Sequence, residues 1–527
     1  MISLCFPRFT TNLNDEEIKK KLEKLHLYCS TPMLDSQLSE PKKDKELKLF
    51  SEIIHKASCS QLLSQDFNVL VNCAIKILSK YSRYHIPDIE VSGKKQNSIY
   101  QVAKDNFVKL LSIYPKEKLD DVAKIVLTII DNQNFWPTRK LCAEIIICLI
   151  DLGISGSLVY HELCDKIEFP NVSTDVDIKL VVKVLYESLE NYKWPEDEET
   201  VIFLKRLLNM FNKSLKSASK KTKDMAYTNL RACLELSVRY LIRNIANNHR
   251  MVAIEYMSSW AIKKDMYDDF ILNYGSTLEY AAYMHQGTSL TDTLNADILS
   301  MLMLMIGSNI RFVSLLGNRI FQYLIDSNKN QMLFNNPKIF FQGMHLSMKP
   351  CKYNREDKQL LKKHREIIHE SLIRSFVNHK STRLNVETTY CTVCLLIVAI
   401  PCGFTAAAIC CLMMNLQDIV LNKLEKTERK ELYHLHAIII SVITFICWIE
   451  EAEHFHEYMN KIVMERAQWA PHLNPPLQSY YNFASHHLLW DKPELFPIDW
   501  EVRYGLWKRF RLNISTKTKK VLYVVDK

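Results

Sequence analysis

The chain has 527 residues, of which only 10 are glycine and 48% are hydrophobic, and it carries a formal net charge of +9. Strands, tight turns and phosphate-binding loops rely on glycine because it alone adopts positive φ without steric cost, so this composition disfavours them and favours helices. The hydrophobic fraction excludes a largely disordered chain, and the positive charge suits an anionic partner such as a membrane surface.

The N-terminus combines a short apolar stretch with a cysteine and a group of basic residues. The stretch before Pro7 is only about five residues long, whereas a secretory signal needs an apolar core of roughly 7–15, so we expect no secretion signal. Acylation of Cys5 beside a polybasic segment would supply the two signals that stable membrane anchoring requires, so we predict lipidation there. An ordinary solvated surface is the alternative interpretation of the lysines. The predicted membrane-contact residues are Arg8, Lys19, Lys20, Lys21 and Lys24.

Apolar residues recur at steps of three and four in segment after segment, which is the period of an amphipathic helix. The clearest stripe consists of Tyr227, Leu230, Leu234, Val238, Leu241 and Ile245. Two further pairs of stripes, at 119–130 with 141–149 and at 178–189 with 201–211, are each separated by a proline-containing break. Helix pairs at a period of about 40 residues are typical of HEAT or armadillo stacking. We therefore predict an all-α fold, an irregular α-α superhelix of stacked hairpins, with a compact bundle as the alternative.

The helical pattern fails beyond Pro471, where four further prolines accompany many aromatic residues. Proline lacks a backbone N–H and disrupts helix interiors, so we predict an irregular strap that lies on the helical stack and ends in a basic tail at 508–527. The predicted organisation is a membrane-proximal segment with the first helix at 1–35, a HEAT/armadillo-like solenoid at 36–470, and the strap with its tail at 471–527.

One uncharged segment, residues 391–414, meets the length of roughly 20 residues that a membrane-spanning helix requires. Pro401 and Gly403 divide it into two halves, each of which suits a buried core helix better than a span. We predict two buried helices here, with an integral membrane segment as the less favoured alternative. The 15 cysteines of the chain show no disulfide-framework spacing, which indicates a reducing, cytosolic compartment.

No segment of the sequence carries a complete catalytic or metal-binding motif. Residues 153–157 approach a hydrolase elbow but lack its final glycine, and no phosphate-binding loop pattern is present. Cys391 and Cys394 lack the second ligand pair that tetrahedral zinc requires. His454 and His456, two residues apart, point to different faces of a helix. We expect no enzyme activity, no cofactor and no metal; since aromatics do not interleave with the lysines, we also expect no nucleic-acid partner.

Several short motifs occur in a fixed order along the chain. The first three are LEKLHLYCSTP at 22–32, IANNH at 245–249 and FQYLID at 321–326. The densest group lies near the end and comprises LQDI at 416–419, HLHA at 434–437, IVMERA at 462–467 and APHLNP at 470–475. In order and spacing these motifs resemble the Rolling blackout (Efr-three) family.

The resemblance implies a rod of helical repeats at the inner leaflet of the plasma membrane, held there by N-terminal palmitoylation and basic residues. It also implies a non-catalytic role, the recruitment of a type III phosphatidylinositol 4-kinase through a tetratricopeptide-repeat adaptor and a hyccin-like subunit, with anionic inner-leaflet lipids as further partners. Two features depart from the family. Members of the family have several adjacent N-terminal cysteines where this chain has Cys5, and one acyl chain alone binds a membrane marginally. The family's long tail after the rod, which engages the adaptor, is much shorter here.

Three other functions remain as alternatives to this scaffold role. A soluble cytosolic HEAT-repeat adaptor would show no membrane signal. A lipase or an integral membrane protein is less favoured, because the first needs a catalytic cluster and the second an unbroken span.

Overall fold

A computed structural model gives the fold of most of the chain. The residues it describes are 14–30, 45–82, 93–114, 119–153, 156–168, 178–190, 192–219, 225–262, 268–287, 289–349, 351, 353–422, 432–478, 481 and 492–512. Within these ranges every regular element is an α- or 3-10 helix and no strand is present, so the predicted all-α class is confirmed. The chain divides into two compact units, Met1–Asn244 and Ile245–Lys527. The predicted boundaries after residues 35 and 470 stay predictions.

The first unit is a succession of helices joined by connections of varied length. Its described helices are α1 (Asp15–Ser30), α2 (Lys45–Lys56), α3 (Cys59–Leu63), α4 (Phe67–Ser82), α5 (Gly93–Ser112), α6 (Leu119–Asn132), α7 (Arg139–Asp151), α8 (Gly156–Glu168), α9 (Ile178–Leu189), α10 (Glu198–Ser219) and α11 (Met225–Asn244). Most helices pack against helices close to them in the chain, such as α4 on α5, α8 on α9 and α10 on α11. Such local packing is the organisation of HEAT and armadillo stacks.

The apolar stripe predicted for α11 is the buried side of that helix. Leu230, Leu234, Val238 and Leu241 are each at most 2% exposed. They share one side because steps of three and four residues return close to the same angle on an α-helix. α11 packs against α9 and α10, so the sequence period predicted both the helix and the side that it buries.

The predicted break between α6 and α7 is a turn held by side-chain hydrogen bonds. The indole N–H of buried Trp136 donates to Asp131 Oδ1 at 2.9 Å. Thr138 Oγ1 donates to the carbonyl oxygen of Phe135 at 2.6 Å. These bonds connect the turn to the end of α6 and to its own backbone.

The second unit also consists of helices, with two short 3-10 segments near its end and one before α17. Its described α-helices are α12 (Asn247–Ala261), α13 (Asp268–Met284), α14 (Leu290–Thr293), α15 (Ala296–Ile306), α16 (Arg311–Ile325), α17 (Arg355–Lys363), α18 (Arg365–Asn378), α19 (Arg383–Ala399), α20 (Gly403–Asn422), α21 (Tyr433–Ile449), α22 (Glu453–Trp469) and α23 (Trp500–Leu512). The 3-10 segments are Gln331–Phe334, Pro471–Leu473 and Pro493–Leu495.

Helices α19 and α21 form the centre of the core of the second unit. All residues at 389–399 in α19 and at 433–447 in α21 are buried. Helices that are buried on every side occur at the centre of large domains, where each side meets another element. One polar contact inside this core is the hydrogen bond that Gln322 Nε2 of α16 donates to Thr392 Oγ1 at 2.9 Å.

The uncharged segment at 391–414 folds as two helices, as predicted. α19 ends at Ala399 and α20 begins at Gly403. The separation follows from Pro401, which has no N–H to continue a helix. Among the described residues one helix, α20, is long and apolar enough to cross a membrane, and 56% of its most apolar window is buried within the fold.

Among the described residues beyond Pro471, those up to 496 contain no α-helix, and those from Trp500 form a helix that the proline content did not predict. Two short 3-10 segments, Pro471–Leu473 and Pro493–Leu495, precede α23, and α23 packs on α20. α23 forms because no proline follows Pro497, so the helical hydrogen bonds are uninterrupted. Residues 508–512, assigned from the sequence to a basic tail, belong to this helix.

Candidate functional site

The predicted membrane-contact lysines lie on α1, whose other side packs on α2 and α4. Lys19, Lys20 and Lys24 are exposed to solvent. The structure therefore brings three of the predicted basic residues onto the outside of one helix. Cys5 and Arg8 lie outside the described residues.

Lys21 is engaged within the fold. Its Nζ lies 2.9 Å from Glu52 Oε1 of α2, and Lys56 approaches the same oxygen at 2.9 Å. Hydrogen bonds from Lys21 and then from Lys56 lower the pKa of the Glu52 carboxyl. The pairs are partly exposed, so each contributes at most about 1 kcal/mol to stability. Lys21 consequently holds α1 to α2 and offers less of its charge to a ligand than its neighbours do.

Acidic side chains stand beside the exposed lysines on α1. The helix contains four lysines and four acidic residues, so its net side-chain charge is zero apart from histidine. All four acidic residues are exposed, and they are Asp15, Glu16, Glu17 and Glu23. An anionic surface is therefore attracted to α1 only through the local placement of its lysines, and the helix is not a uniformly basic patch.

An open groove between α2 and α5 lies close to the Lys21–Glu52 pair. Lys48 and His55 line it together with the apolar side chains of Ile99 and Val102. Lys109 Nζ donates to His55 Nδ1 at 2.8 Å. Glu52 also lines the groove, so the lining carries both signs of charge beside its apolar side chains.

The C-x-x-C pair on α19 is unsuited to metal binding or nucleophilic chemistry. Burial raises the pKa of the Cys391 thiol to about 12 and raises that of Cys394 well above its usual range. Thiols bind metals and attack electrophiles as thiolates, so protonated buried thiols are inert. Among the described residues no group of three or more His, Cys, Asp or Glu side chains is placed to hold a metal ion.

The two histidines at the start of α22 point to different faces, as predicted. The His454 side chain is 92% exposed. His456 is buried and donates from Nε2 to the carbonyl oxygen of Phe340 at 2.6 Å. A common metal ion is thus excluded for this pair, and His456 instead fixes the segment that contains Phe340 against α22.

The hydrolase-like segment at 153–157 offers no exposed serine among its described residues. Gly153 adopts a φ of 98° just after α7, as expected for the glycine that ends a helix. Ser157 is buried in α8 and donates a hydrogen bond to the carboxylate of Glu199. Ser155 lies outside the described residues.

Comparison with known protein families decides what kind of chain this is. Residues 47–487 match the family model described as EFR3, armadillo repeat. The chain belongs to the EFR3 family. The match spans well over half of the chain, and it confirms both the family resemblance and the armadillo-like fold class. No curated protein and no solved structure matches the chain.

The EFR3 armadillo-repeat domain is a scaffold-type helical repeat, and the family is not known as one of enzymes. This chain is accordingly a helical repeat scaffold. Three of the family motifs near the end of the chain lie close together in the fold, because they meet at one buried arginine.

Arg466 of the IVMERA motif joins the HLHA and APHLNP motifs of this EFR3 chain. It is fully buried, and its Nη1 donates to the carbonyl oxygens of His436 at 3.1 Å and Leu473 at 2.9 Å. Its Nε donates to the carbonyl oxygen of Leu495 at 2.7 Å. Burial lowers the pKa of Arg466 to about 9, which leaves it charged at neutral pH. The arginine therefore pins the segment after Pro471 to α21 and α22.

Sequence reasoning missed the role of Arg466, because arginine is mostly exposed in proteins and nothing in its spacing marks it as buried. The signal that pointed to it was indirect. The family motifs at 434–437, 462–467 and 470–475 were found in a fixed order, and the structure gives the physical reason for their association.

Proposed function

We propose that the chain is a non-catalytic, peripheral scaffold at the cytoplasmic face of the plasma membrane. In this role it recruits a phosphatidylinositol 4-kinase complex, through a tetratricopeptide-repeat adaptor and a hyccin-like subunit, and so supports phosphoinositide synthesis. The observation that carries the proposal is the EFR3 family match over residues 47–487. Helical repeat stacks present extended surfaces to partners, which fits a recruiting role.

The exposed lysines of α1 support membrane contact but do not suffice for stable anchoring. At about 1 kcal/mol for each cation near an anionic leaflet, Lys19, Lys20 and Lys24 together favour the membrane by on the order of 100-fold. The carboxylates on the same helix reduce this attraction. A second signal is therefore needed, and acylation of Cys5 supplies it.

Localisation of a fluorescent fusion of the full chain tests the anchor. Cys5→Ser combined with Lys19, Lys20 and Lys24→Glu is expected to move the fusion from the plasma membrane to the cytosol. Lys21 is left unchanged because it pairs with Glu52, so the variant keeps the contact between α1 and α2.

A matched control changes the same charge elsewhere in the first unit. Lys124, Lys140 and Lys205 are exposed on three other helices, and their replacement by Glu is expected to leave the fusion at the membrane. If the anchor variant stays at the plasma membrane, Cys5 and the α1 lysines are not the anchor.

Recruitment is tested by affinity purification of the unmodified chain followed by mass spectrometry. The kinase, the adaptor and the hyccin-like subunit are expected to co-purify. Their absence, with the chain at the membrane, contradicts the recruiting role.

The balanced charge of α1 favours one second candidate, a soluble cytosolic HEAT-repeat adaptor. This alternative predicts that even the unmodified fusion is cytosolic. The localisation of the unmodified chain therefore separates the two functions.

A further inference from the structure

The outer face of α23 carries aromatic and basic side chains in one stripe. Trp500, Tyr504, Trp507, Lys508 and Arg511 recur at the spacing that places residues on the same side of a helix. Trp500 is 71% exposed and Tyr504 is 49% exposed, Trp507 is half-buried, and both basic residues are exposed. We refer to these five residues as the α23 aromatic–basic face. Large aromatic side chains are normally mostly buried, so their exposure on one face indicates an interaction surface.

The rings and cations of this face lie against each other. Lys508 Nζ is 5.9 Å from the centroid of the Tyr504 ring, and Arg511 Cζ is 4.7 Å from that of Trp507. The Tyr504 and Trp507 rings are themselves 5.9 Å apart. Cation–π attraction at these distances places the positive charges beside the rings at the outer surface.

The inner side of α23 holds the face in place. Leu506 and Phe510 are buried against the unit. Arg503 Nη2 donates to Asp418 Oδ1 of α20 at 2.8 Å and to the carbonyl oxygen of Met414 at 3.1 Å. The aromatic–basic face is therefore presented by a helix that is already fixed, which reduces the ordering that binding requires.

The chemistry of the face fits the headgroup layer of an anionic bilayer. Tryptophan and tyrosine prefer the membrane interface, where the ring contacts apolar groups and its polar edge stays hydrated. Lysine and arginine beside them are attracted to anionic headgroups. α23 contains four basic residues and one acidic residue, Glu501, so it is basic where α1 is balanced. The face is the outside of a single helix and does not form the groove that a single-stranded nucleic acid follows.

We propose that the α23 aromatic–basic face is a membrane-contact surface that binds an anionic phospholipid headgroup layer independently of Cys5. The inference rests on the proposed function in one respect, which is that the chain binds a lipid bilayer. It adds a contact in the second unit, far along the chain from the N-terminal anchor.

Vesicle binding of the full chain tests the proposal. Cys5→Ser is used throughout, so that no acyl chain contributes, and phosphatidylcholine vesicles are compared with vesicles that also contain phosphatidylserine. The chain is expected to bind the anionic vesicles preferentially. Lys508→Gln with Arg511→Gln is expected to lower this partitioning roughly 30-fold, and Trp500→Ala with Tyr504→Ala is expected to lower it as well.

A matched control keeps the charge change in the same unit. Lys362→Gln with Lys363→Gln, at exposed positions on α17, is expected to bind as the parent chain does. Circular dichroism of each variant confirms that its helix content is retained. If the α23 variants partition to vesicles as strongly as the parent chain, the proposal is overturned. A face that binds a protein partner instead of a membrane would give this result.

Two further results separate this proposal from the proposed function. Loss of vesicle binding in a variant with Lys19, Lys20 and Lys24→Glu, but not in the α23 variants, overturns the α23 contact and leaves the scaffold function standing. Loss in the α23 variants, for a chain whose cellular fusion is cytosolic, supports the α23 contact and contradicts the plasma-membrane function.

Discussion

Replacement of Arg466 by methionine is expected to loosen the segment that follows Pro471. Methionine keeps much of the length of the side chain but donates none of the three hydrogen bonds to carbonyl oxygens. Hydrogen bonds from charged groups contribute roughly 1.5–3 kcal/mol each, so their loss has an upper bound of about 9 kcal/mol. The variant no longer buries a charge, which offsets several kcal/mol of that loss. We expect a net destabilisation of about 3 kcal/mol.

Hydrogen exchange of the full chain measures this change locally. A loss of about 3 kcal/mol lowers amide protection on the order of 100-fold. The effect is expected at residues 471–478 and 492–496, because two of the three carbonyl acceptors belong to Leu473 and Leu495. Arg466→Lys retains a charge with fewer fixed donors and is expected to give an intermediate loss.

A matched control is Arg365→Met at an exposed position on α18, for which a change within about 0.5 kcal/mol is expected. If Arg466→Met leaves exchange after Pro471 as slow as in the parent chain, the three hydrogen bonds do not hold this segment, and the reasoning fails.

Two further predictions concern stability. In Gly317→Ala the new Cβ would lie 2.7 Å from Met305 Cβ, so we expect a loss of about 2 kcal/mol in urea titrations. Gly275→Ala is the control, because its Cβ meets only the two methyl groups of Leu316 at 3.5 and 3.6 Å, and it should be neutral or gain up to about 1 kcal/mol. Equal effects of the two substitutions would contradict the packing argument. Burial and then the charge of Arg466 lower the pKa of His436 well below its usual value. The folded state therefore binds fewer protons than the unfolded state below about pH 6.5. Acidification to about pH 5.5 is expected to remove about 1 kcal/mol of stability. His436→Gln should reduce this acid sensitivity, and an unchanged pH profile of urea unfolding would refute the assignment.

The period of the apolar residues in the sequence predicted helices well where one side of the helix is buried and the other is exposed to solvent. α11 is such a case, since its stripe at steps of three and four coincides with its buried side. α23 was missed because the preceding prolines dominated the interpretation, although proline disrupts only the turn in which it lies. Pro401 was interpreted correctly for the same physical reason, since it separates α19 from α20.

The candidate site was less predictable, because its properties depend on contacts between segments distant in the chain. The lysines of α1 are visible in the sequence, but the capture of Lys21 by Glu52 depends on how α1 packs on α2. The burial of Arg466 likewise depends on three carbonyl groups from separate segments. Patterns along one helix carry no information about such partners.

The hydrogen bond between His456 and the Phe340 carbonyl has a consequence for synthesis on the ribosome. It joins residues 116 positions apart, whereas many helix contacts of the first unit link close neighbours. Local contacts form as soon as both helices have emerged, but a distant contact must wait for its second partner. The segment around Phe340 therefore stays without this hydrogen bond until α22 has left the exit tunnel, even though it can already contact α21 through Ser441 and Thr444.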